Sequence, residues 1–422
     1  MADNAVLARN VDNAPKDELS SHSVAFSHYN HFSTQFPIDP ATGELVSGGV
    51  KEQAQQVFKN IVAVIEGIDR KVDQTVRVSV FLKDMADLDA VNEAYSEFFK
   101  GYLPTRTVVA VDALPLDGAL IMADAVLSHG LGTIPDAPQA DDLIILARNA
   151  ENVYKSPTST QTCAFSHYNN ITMQIGIDKD GNLVSGGVEA ETKQALQNIK
   201  DILASIDVCV DDIVKNTIFL KDLNDLETVN AVYKTFFPDT AIARTVKYVP
   251  ARTPVKVKDL PNGASVAVEA VVSHGDGTPP QLVEDRHGLI VEPNNTDKAP
   301  KCCMSTQTVA FSHYNNIGAQ FGMEAGSDSI VSGGAGAEAE QALKNIQAII
   351  ESVDHKLEDV VKVNIYLKDL ADLDAVNEAY KKFFPDGTPA RRVVGVGEIL
   401  KGASVMIDAV VSNAEGTPPF AD

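Results

Sequence analysis

Apolar residues in the first third of the chain change period in a readable order. Ala54, Val57, Ile61, Val64 and Ile65 recur every three or four positions, which predicts a helix opening near Gly49. Val76, Val78, Val80 and Leu82 then alternate, the pattern of a half-buried strand. Leu88, Val91, Ala94, Tyr95 and Phe98 restore the helical period. Ahead of the first helix, Ser23–Phe36 is rich in aromatic and small residues and reads as one strand, closed by the turn Asp39-Pro40-Ala41-Thr42-Gly43. Thr105–Val111 and Ala119–Leu127 read as two further strands. Together these elements predict an α+β unit, a sheet with two helices on one face.

The same words then return twice. Phe-Ser-His-Tyr-Asn stands at Phe26–Asn30, Phe165–Asn169 and Phe311–Asn315. Val-Ser-Gly-Gly begins at Val46, Val184 and Val331, and Leu-Lys-Asp at Leu82, Leu220 and Leu367. A period near 140 residues is too long for a solenoid and fits a whole small domain. The boundaries fall in the polar, Pro-bearing stretches Gly130–Asp142 and Gly275–Arg286, which gives domains 1–140, 141–286 and 287–422. The connectors are short and each one-sided sheet must bury its second face. Three like domains in one chain are therefore expected to close a pseudo-threefold ring.

Composition narrows the function. A formal net charge of −23 argues against nucleic acid and against an anionic membrane surface as partners. A small anionic ligand stays open, since one buried arginine can dominate its surroundings. No apolar run approaches the roughly 18 residues that a spanning helix needs. The first ten residues lack a basic start followed by an apolar stretch, so a cytoplasmic location is expected. Cys163, Cys209, Cys302 and Cys303 do not recur between repeats, which fits free thiols. No His/Asp/Glu set has metal-ligand spacing, so no metal is expected.

Each repeat resembles the RidA (YjgF) family of reactive-intermediate deaminases along nearly its whole length. The matching words in repeat 1 are Phe36-Pro37-Ile38-Asp39-Pro40, Val80-Phe81-Leu82-Lys83-Asp84 leading to Val91-Asn92, Leu103-Pro104-Thr105-Arg106-Thr107 and Ala123-Asp124-Ala125-Val126. Repeat 2 offers Ile218–Asp222, Val229-Asn230, Ala243-Arg244-Thr245 and Val268-Glu269-Ala270-Val271. Repeat 3 offers Ile365–Asp369, Val376-Asn377, Pro389-Ala390-Arg391 and Ile407-Asp408-Ala409-Val410. The resemblance implies a chorismate-mutase-like fold, and a trimer with clefts between subunits that this chain would supply by itself.

The resemblance also implies site residues. Arg106, Arg244 and Arg391 fall at the family's substrate-binding arginine, suited to gripping a carboxylate through two parallel hydrogen bonds. Asp124, Glu269 and Asp408 fall at its acid, which would position a water beside an imine carbon. Two of the three are one methylene shorter than the family's usual Glu. Asn92, Asn230 and Asn377 match a cleft-lining asparagine, and Thr107 and Thr245 follow the arginine where repeat 3 has Arg392. Ser33 and Thr172 supply a pocket hydroxyl that Gly318 lacks. Phe26, Phe165 and Phe311 stand for the pocket aromatic. His28, His167 and His313 are read as structural; His129 and His274 give way to Asn413 in repeat 3.

The implied activity is hydrolytic deamination of small 2-imino or enamine acids, such as 2-aminoacrylate, to 2-keto acids and ammonia, without a cofactor. The alternative is a non-catalytic binder or sensor of small carboxylates, favoured by the shortened acids. Repeat 2 reads as carrying extra residues between Arg244 and Glu269, within Tyr248–Pro261.

Overall fold

The computed structural model describes residues 6–128, 144–237, 249–273, 289–414 and 416–417. Unit 1 contains β1 (Leu7–Arg9), β2 (Ser23–Phe26), β3 (Tyr29–Phe32), the small ribbon β4 (Ile38–Asp39) and β5 (Glu44–Leu45), α1 (Val50–Gly67), β6 (Thr75–Leu82), α2 (Leu88–Phe98), β7 (Thr105–Ala110) and β8 (Ile121–Ser128). Its main sheet has the order β1-β2-β3-β8-β6-β7. β6 and β7 run parallel, so the chain must cross over between them, and α2 is that crossover. The helix signal resolves as expected: Ala54, Val57, Phe58, Ile61, Val64 and Ile65 of α1 are fully buried against the sheet. At the start of α1 the Glu52 carboxylate accepts from the Gly49 N–H at 2.8 Å, satisfying a donor the helix cannot.

The alternation in β6 resolves with one exception. Val78, Val80 and Leu82 enter the core beneath the helices, but Val76 joins a different cluster. A register shift between Thr75 and Arg77 separates it from the others. The stretch read as one strand over Ser23–Phe36 is instead a hairpin. Phe26 pairs with Tyr29, and Ser27 sits between them at φ +48°. The same turn recurs at Ser166 and Ser312. Positive φ at the first central residue suits the twist of a two-residue hairpin, but serine is an unusual choice there and the sequence gives little warning of it.

Unit 2 repeats the plan with β9 (Leu146–Arg148), β10 (Thr162–Phe165), β11 (Tyr168–Ile175), α3 (Gly187–Ala204), β12 (Ile213–Leu220), α4 (Leu226–Tyr233), β13 (Ala251–Lys256) and β14 (Val266–Ser273). Unit 3 has β15 (Val291–Asn294), β16 (Thr308–Phe311), β17 (Tyr314–Phe321), α5 (Gly334–Glu351), β18 (Val360–Leu367), α6 (Leu373–Phe383), β19 (Ala390–Gly395) and β20 (Val405–Ser412). Each unit has its own apolar core between helices and sheet. The second face of each sheet is covered by the other units. One shared cluster joins Phe81 and Met122 to Phe219, Val255, Tyr366 and Met406. A second joins Phe26 and Tyr29 to Phe165, Tyr168, Phe311 and Tyr314.

The hydrogen bonds in that second cluster run in a cycle. Tyr29 donates to the Phe165 carbonyl, Tyr168 to that of Phe311, and Tyr314 back to that of Phe26. The stretches 130–142 and 275–286, read as linkers, lie outside the described residues, as do His129 and His274. No helix among the described residues is long and apolar enough to cross a membrane.

Candidate functional site

β7 places two neighbouring residues on opposite faces of its sheet, as a strand must. Arg106 turns toward α2. Its guanidinium carbon lies 4.2 Å over the Tyr95 ring, and Nη1 donates to Asn92 Oδ1 at 2.6 Å. Asn92 and Tyr95 are one helical turn apart and so share a face. Arg106 is 4% exposed, yet its Nε and Nη2 have no hydrogen-bond partner. No carboxylate pairs with it among the described residues. Burial pushes its pKa down to about 10, against the pull of Tyr95, so it stays charged at neutral pH.

The neighbouring unit completes this site. The Arg106 N–H donates at 3.0 Å to Thr172 Oγ1, which itself donates at 2.5 Å to the Thr160 carbonyl. Arg391 is held alike between units 3 and 1. Nη2 donates to Asn377 at 2.5 Å, Tyr380 lies 4.5 Å beneath the guanidinium carbon, and the N–H donates to Ser33 Oγ at 2.9 Å. Its Nε has no partner. Asn92, Asn377, Ser33 and Thr172 thus stand where the sequence put them, beside an arginine. The hydroxyl, however, comes from the following unit, since β3, β11 and β17 pack against the preceding unit's arginine strand.

Between units 2 and 3 the arginine is Arg252. β12 pairs with β13 so that Asn216 faces Arg252, as Val78 faces Arg106 and Val363 faces Arg391. Arg252 lies 5.1 Å from the Tyr233 ring centre, and its Nη1 has no partner. Asn230 Oδ1 is also unpartnered, where Asn92 and Asn377 hold their arginines. Arg244 and Thr245 lie outside the described residues, and the strand positions assigned to them are occupied by Arg252 and Thr253. The extra residues of repeat 2 accordingly precede the strand, between α4 and β13. Arg252 and Glu269 are seventeen residues apart, the same spacing as Arg391 and Asp408. Ala-Arg-Thr occurs twice, at Ala243 and Ala251; Pro250 marks the second, as Pro104 and Pro389 mark the other two.

Gly318 lacks a side chain, but its site does not lack the hydroxyl. Ser305 Oγ accepts from the Arg252 N–H at 2.9 Å. A Cβ on Gly318 would stand 2.7 Å from that oxygen, so the glycine makes room for the serine. Gly318 therefore belongs to the Arg252 site and not to that of Arg391. The three mouths also differ in charge. Burial lowers the pKa of Arg391 against the pull of Tyr380 and Asp17, and that of Arg252 against Tyr233, Cys302 and Cys303.

The acids are elsewhere. Asp124, Glu269 and Asp408 face a cavity of about 110 Å³ lined by all three units, on the sheet face away from the helices. Arg392 grips Asp124 with Nε at 2.7 Å and Nη2 at 2.8 Å, and Lys362 adds a contact at 3.0 Å. Burial raises the Asp124 pKa, but Arg392 and Lys362 outweigh it and hold it at about 2. Glu269 pairs with Arg77 at 2.8 Å and accepts from Thr107. Asp408 pairs with Lys215 at 3.0 Å and accepts from Thr253 at 2.5 Å. The pairing of arginine and acid in one cleft is thus corrected by strand alternation. Thr107, adjacent to Arg106, joins the acids. Phe26, Phe165 and Phe311 are corrected too: they are buried in the shared aromatic cluster, edge-on to Tyr314, Tyr29 and Tyr168. Sequence reasoning missed Arg77, Lys215 and Lys362, although each is a lone cation within an apolar strand.

Three α+β units, each with two helices on one sheet face and a buried arginine at its junction with the next, define a tandem of one domain type. The profile described as Endoribonuclease L-PSP matches residues 12–126, 167–274 and 307–413, and the chain belongs to that family, which is the RidA/YjgF family. Single repeats are similar to a RutC family protein of Pyrococcus horikoshii, 39% identical over 28% of this chain and 92% of the relative. They are also similar to human 2-iminobutanoate/2-iminopropanoate deaminase, 41% identical over 26% of this chain and 77% of that protein. Among solved structures, RidA of Psychrobacter sp. PAMC 21119 is 33% identical, with a TM-score of 0.28, over 29% of this chain and 99% of its own.

Proposed function

We propose that the chain binds small 2-imino or enamine acids at its inter-unit arginines and hydrolyses them to 2-keto acids and ammonia. The observation that carries this reading is the Arg106 guanidinium, buried with two nitrogens unpartnered and no carboxylate beside it. A buried charge of this kind is costly until an anion arrives, and a planar carboxylate fits its fork. Tyr95 stacks beneath the fork and Asn92 fixes its rotation. The substrate's carboxylate would take the free nitrogens. Water adds to the imine carbon, and the resulting carbinolamine expels ammonia. The names of the human and mouse relatives, 2-iminobutanoate/2-iminopropanoate deaminase, support this substrate class.

A second reading is a binder or sensor of small carboxylates that does not turn them over. It is favoured by the placement of Asp124, Glu269 and Asp408 in the central cavity, away from the arginines. One experiment separates the two: pyruvate release followed from enzymatically generated 2-aminoacrylate, beside calorimetric titration with a 2-keto acid. Turnover lost with Arg106→Ala and Arg252→Ala supports the enzyme. Binding without turnover leaves the sensor, and neither overturns the site. Losing a charge-assisted bidentate pair is expected to weaken binding by about 1.5–3 kcal/mol.

A further inference from the structure

The central cavity carries a charge that its own residues do not balance. Arg77, Lys215, Lys362 and Arg392 line it, against Asp124, Glu269 and Asp408. Each carboxylate already has one cation at 2.8–3.0 Å, from Arg77, Lys215 or Lys362. Arg392 is the surplus. It occupies the strand position that holds Thr107 in unit 1 and Thr253 in unit 2, each paired with the equivalent residue of its neighbouring strand. Burial pushes Lys362 down to about 8, with Asp124 pulling the other way, so at pH 7 it keeps its proton and the surplus persists. The cavity also presents unfinished hydrogen bonds. The buried Nε2 of the partly exposed His31 has no partner, and neither does the Arg77 Nε. Water would satisfy those atoms but not the charge.

We infer that the central cavity binds one small monovalent inorganic anion of the halide class, held by the surplus charge that Arg392 brings and by the free Arg77 Nε–H, with His31 in its Nε2–H tautomer adding a second donor. The space of about 110 Å³ is ample for a halide with accompanying water. A net positive charge in a low-dielectric interior attracts such an ion far more strongly than the same charge does at a surface. The site lies on the opposite sheet face from Arg106, Arg252 and Arg391, so this inference is independent of the proposed activity.

The test uses the full chain and bromide. Crystals equilibrated with bromide are expected to show an anomalous peak inside the cavity. In solution the unfolding midpoint should climb by a few degrees across a hundredfold rise in bromide. Ionic strength is held constant with gluconate, which is too bulky for the cavity. Arg392→Thr recreates the Thr253–Asp408–Lys215 arrangement of unit 2, and is expected to abolish both effects. Wild-type crystals without a bromide peak in the cavity, together with a midpoint indifferent to bromide, overturn the proposal. A peak that persists unchanged in the Arg392→Thr protein overturns the role given to the surplus charge. If that variant does not fold, the wild-type peak and midpoint still decide.

Discussion

At the scale of single residues, the hydroxyl at each arginine's backbone shows how one contact survives a change of sequence. Thr172 supplies it from β11 and Ser33 from just past the end of β3, and Ser305 supplies it from the preceding turn where Gly318 leaves the space. Gly318→Ser should therefore destabilise the chain by about 1–3 kcal/mol through overpacking. Adding Ser305→Ala should recover most of that loss, because it removes the atom the new Cβ meets at 2.7 Å. Denaturant unfolding of the two variants checks it, and equal stability of single and double variants would refute the exchange. The same scale separates the three mouths. The exposed Asp17 carboxylate, which accepts from Leu19 and Ser20, adds negative charge near Arg391 and so opposes an incoming carboxylate. Asp17→Asn is therefore expected to tighten 2-keto acid binding at the Arg391 site by roughly threefold to tenfold, read by titration of a chain that also carries Arg106→Ala and Arg252→Ala.

At the scale of elements, the alternation of β7 sorts the chemistry. Arg106 faces α2 and Thr107 faces the central cavity, and the same holds for Arg391 and Arg392 in β19. The helices, the strands β6 and β7 and the arginine positions Arg106 and Arg391 were legible because period and repeated words determine them locally. The partner of each arginine was not legible. Which unit supplies Thr172 or Ser305 depends on how the units meet, and a repeat read alone carries no such information. Arg252 was hidden by a decoy, a second Ala-Arg-Thr eight residues earlier. The acids were misplaced because the resemblance supplied their role while only strand parity fixes their face. Asp124 accordingly contributes to stability and not to the arginine site. Its carboxyl titrates at about 2 in the fold against an ordinary value of 3.8. A depressed carboxylate stabilises fully above its unfolded value, and that stability is lost as pH falls through 3.8 toward 2. The loss should amount to about 2 kcal/mol. Unfolding free energy measured from pH 5 to pH 2 should fall less steeply in Asp124→Asn than in the unaltered chain by about that amount.

At the scale of the whole molecule, the second faces of the three sheets meet one another among the described residues. Phe81, Phe219 and Tyr366 meet in one shared cluster, and Phe26, Phe165 and Phe311 in another. The tyrosine–carbonyl bonds close on themselves, from unit 1 to 2 to 3 and back to 1. We expect one chain to be the complete assembly, a pseudo-threefold ring sedimenting at its own mass of 45.1 kDa. We further expect calorimetric unfolding to be a single transition, because removing any unit strips the other two of shared core and exposes apolar patches too large for a stable monomer. Tyr314→Phe tests closure in particular, since it cuts the member of the cycle that joins the last unit to the first. Its cost should be about 0.5–1.5 kcal/mol. In a closed ring that cost lowers the one transition as a whole, and Tyr29→Phe and Tyr168→Phe lower it alike. Three separable transitions, or a Tyr314→Phe chain that melts in unit 3 alone, would show beads joined in a line.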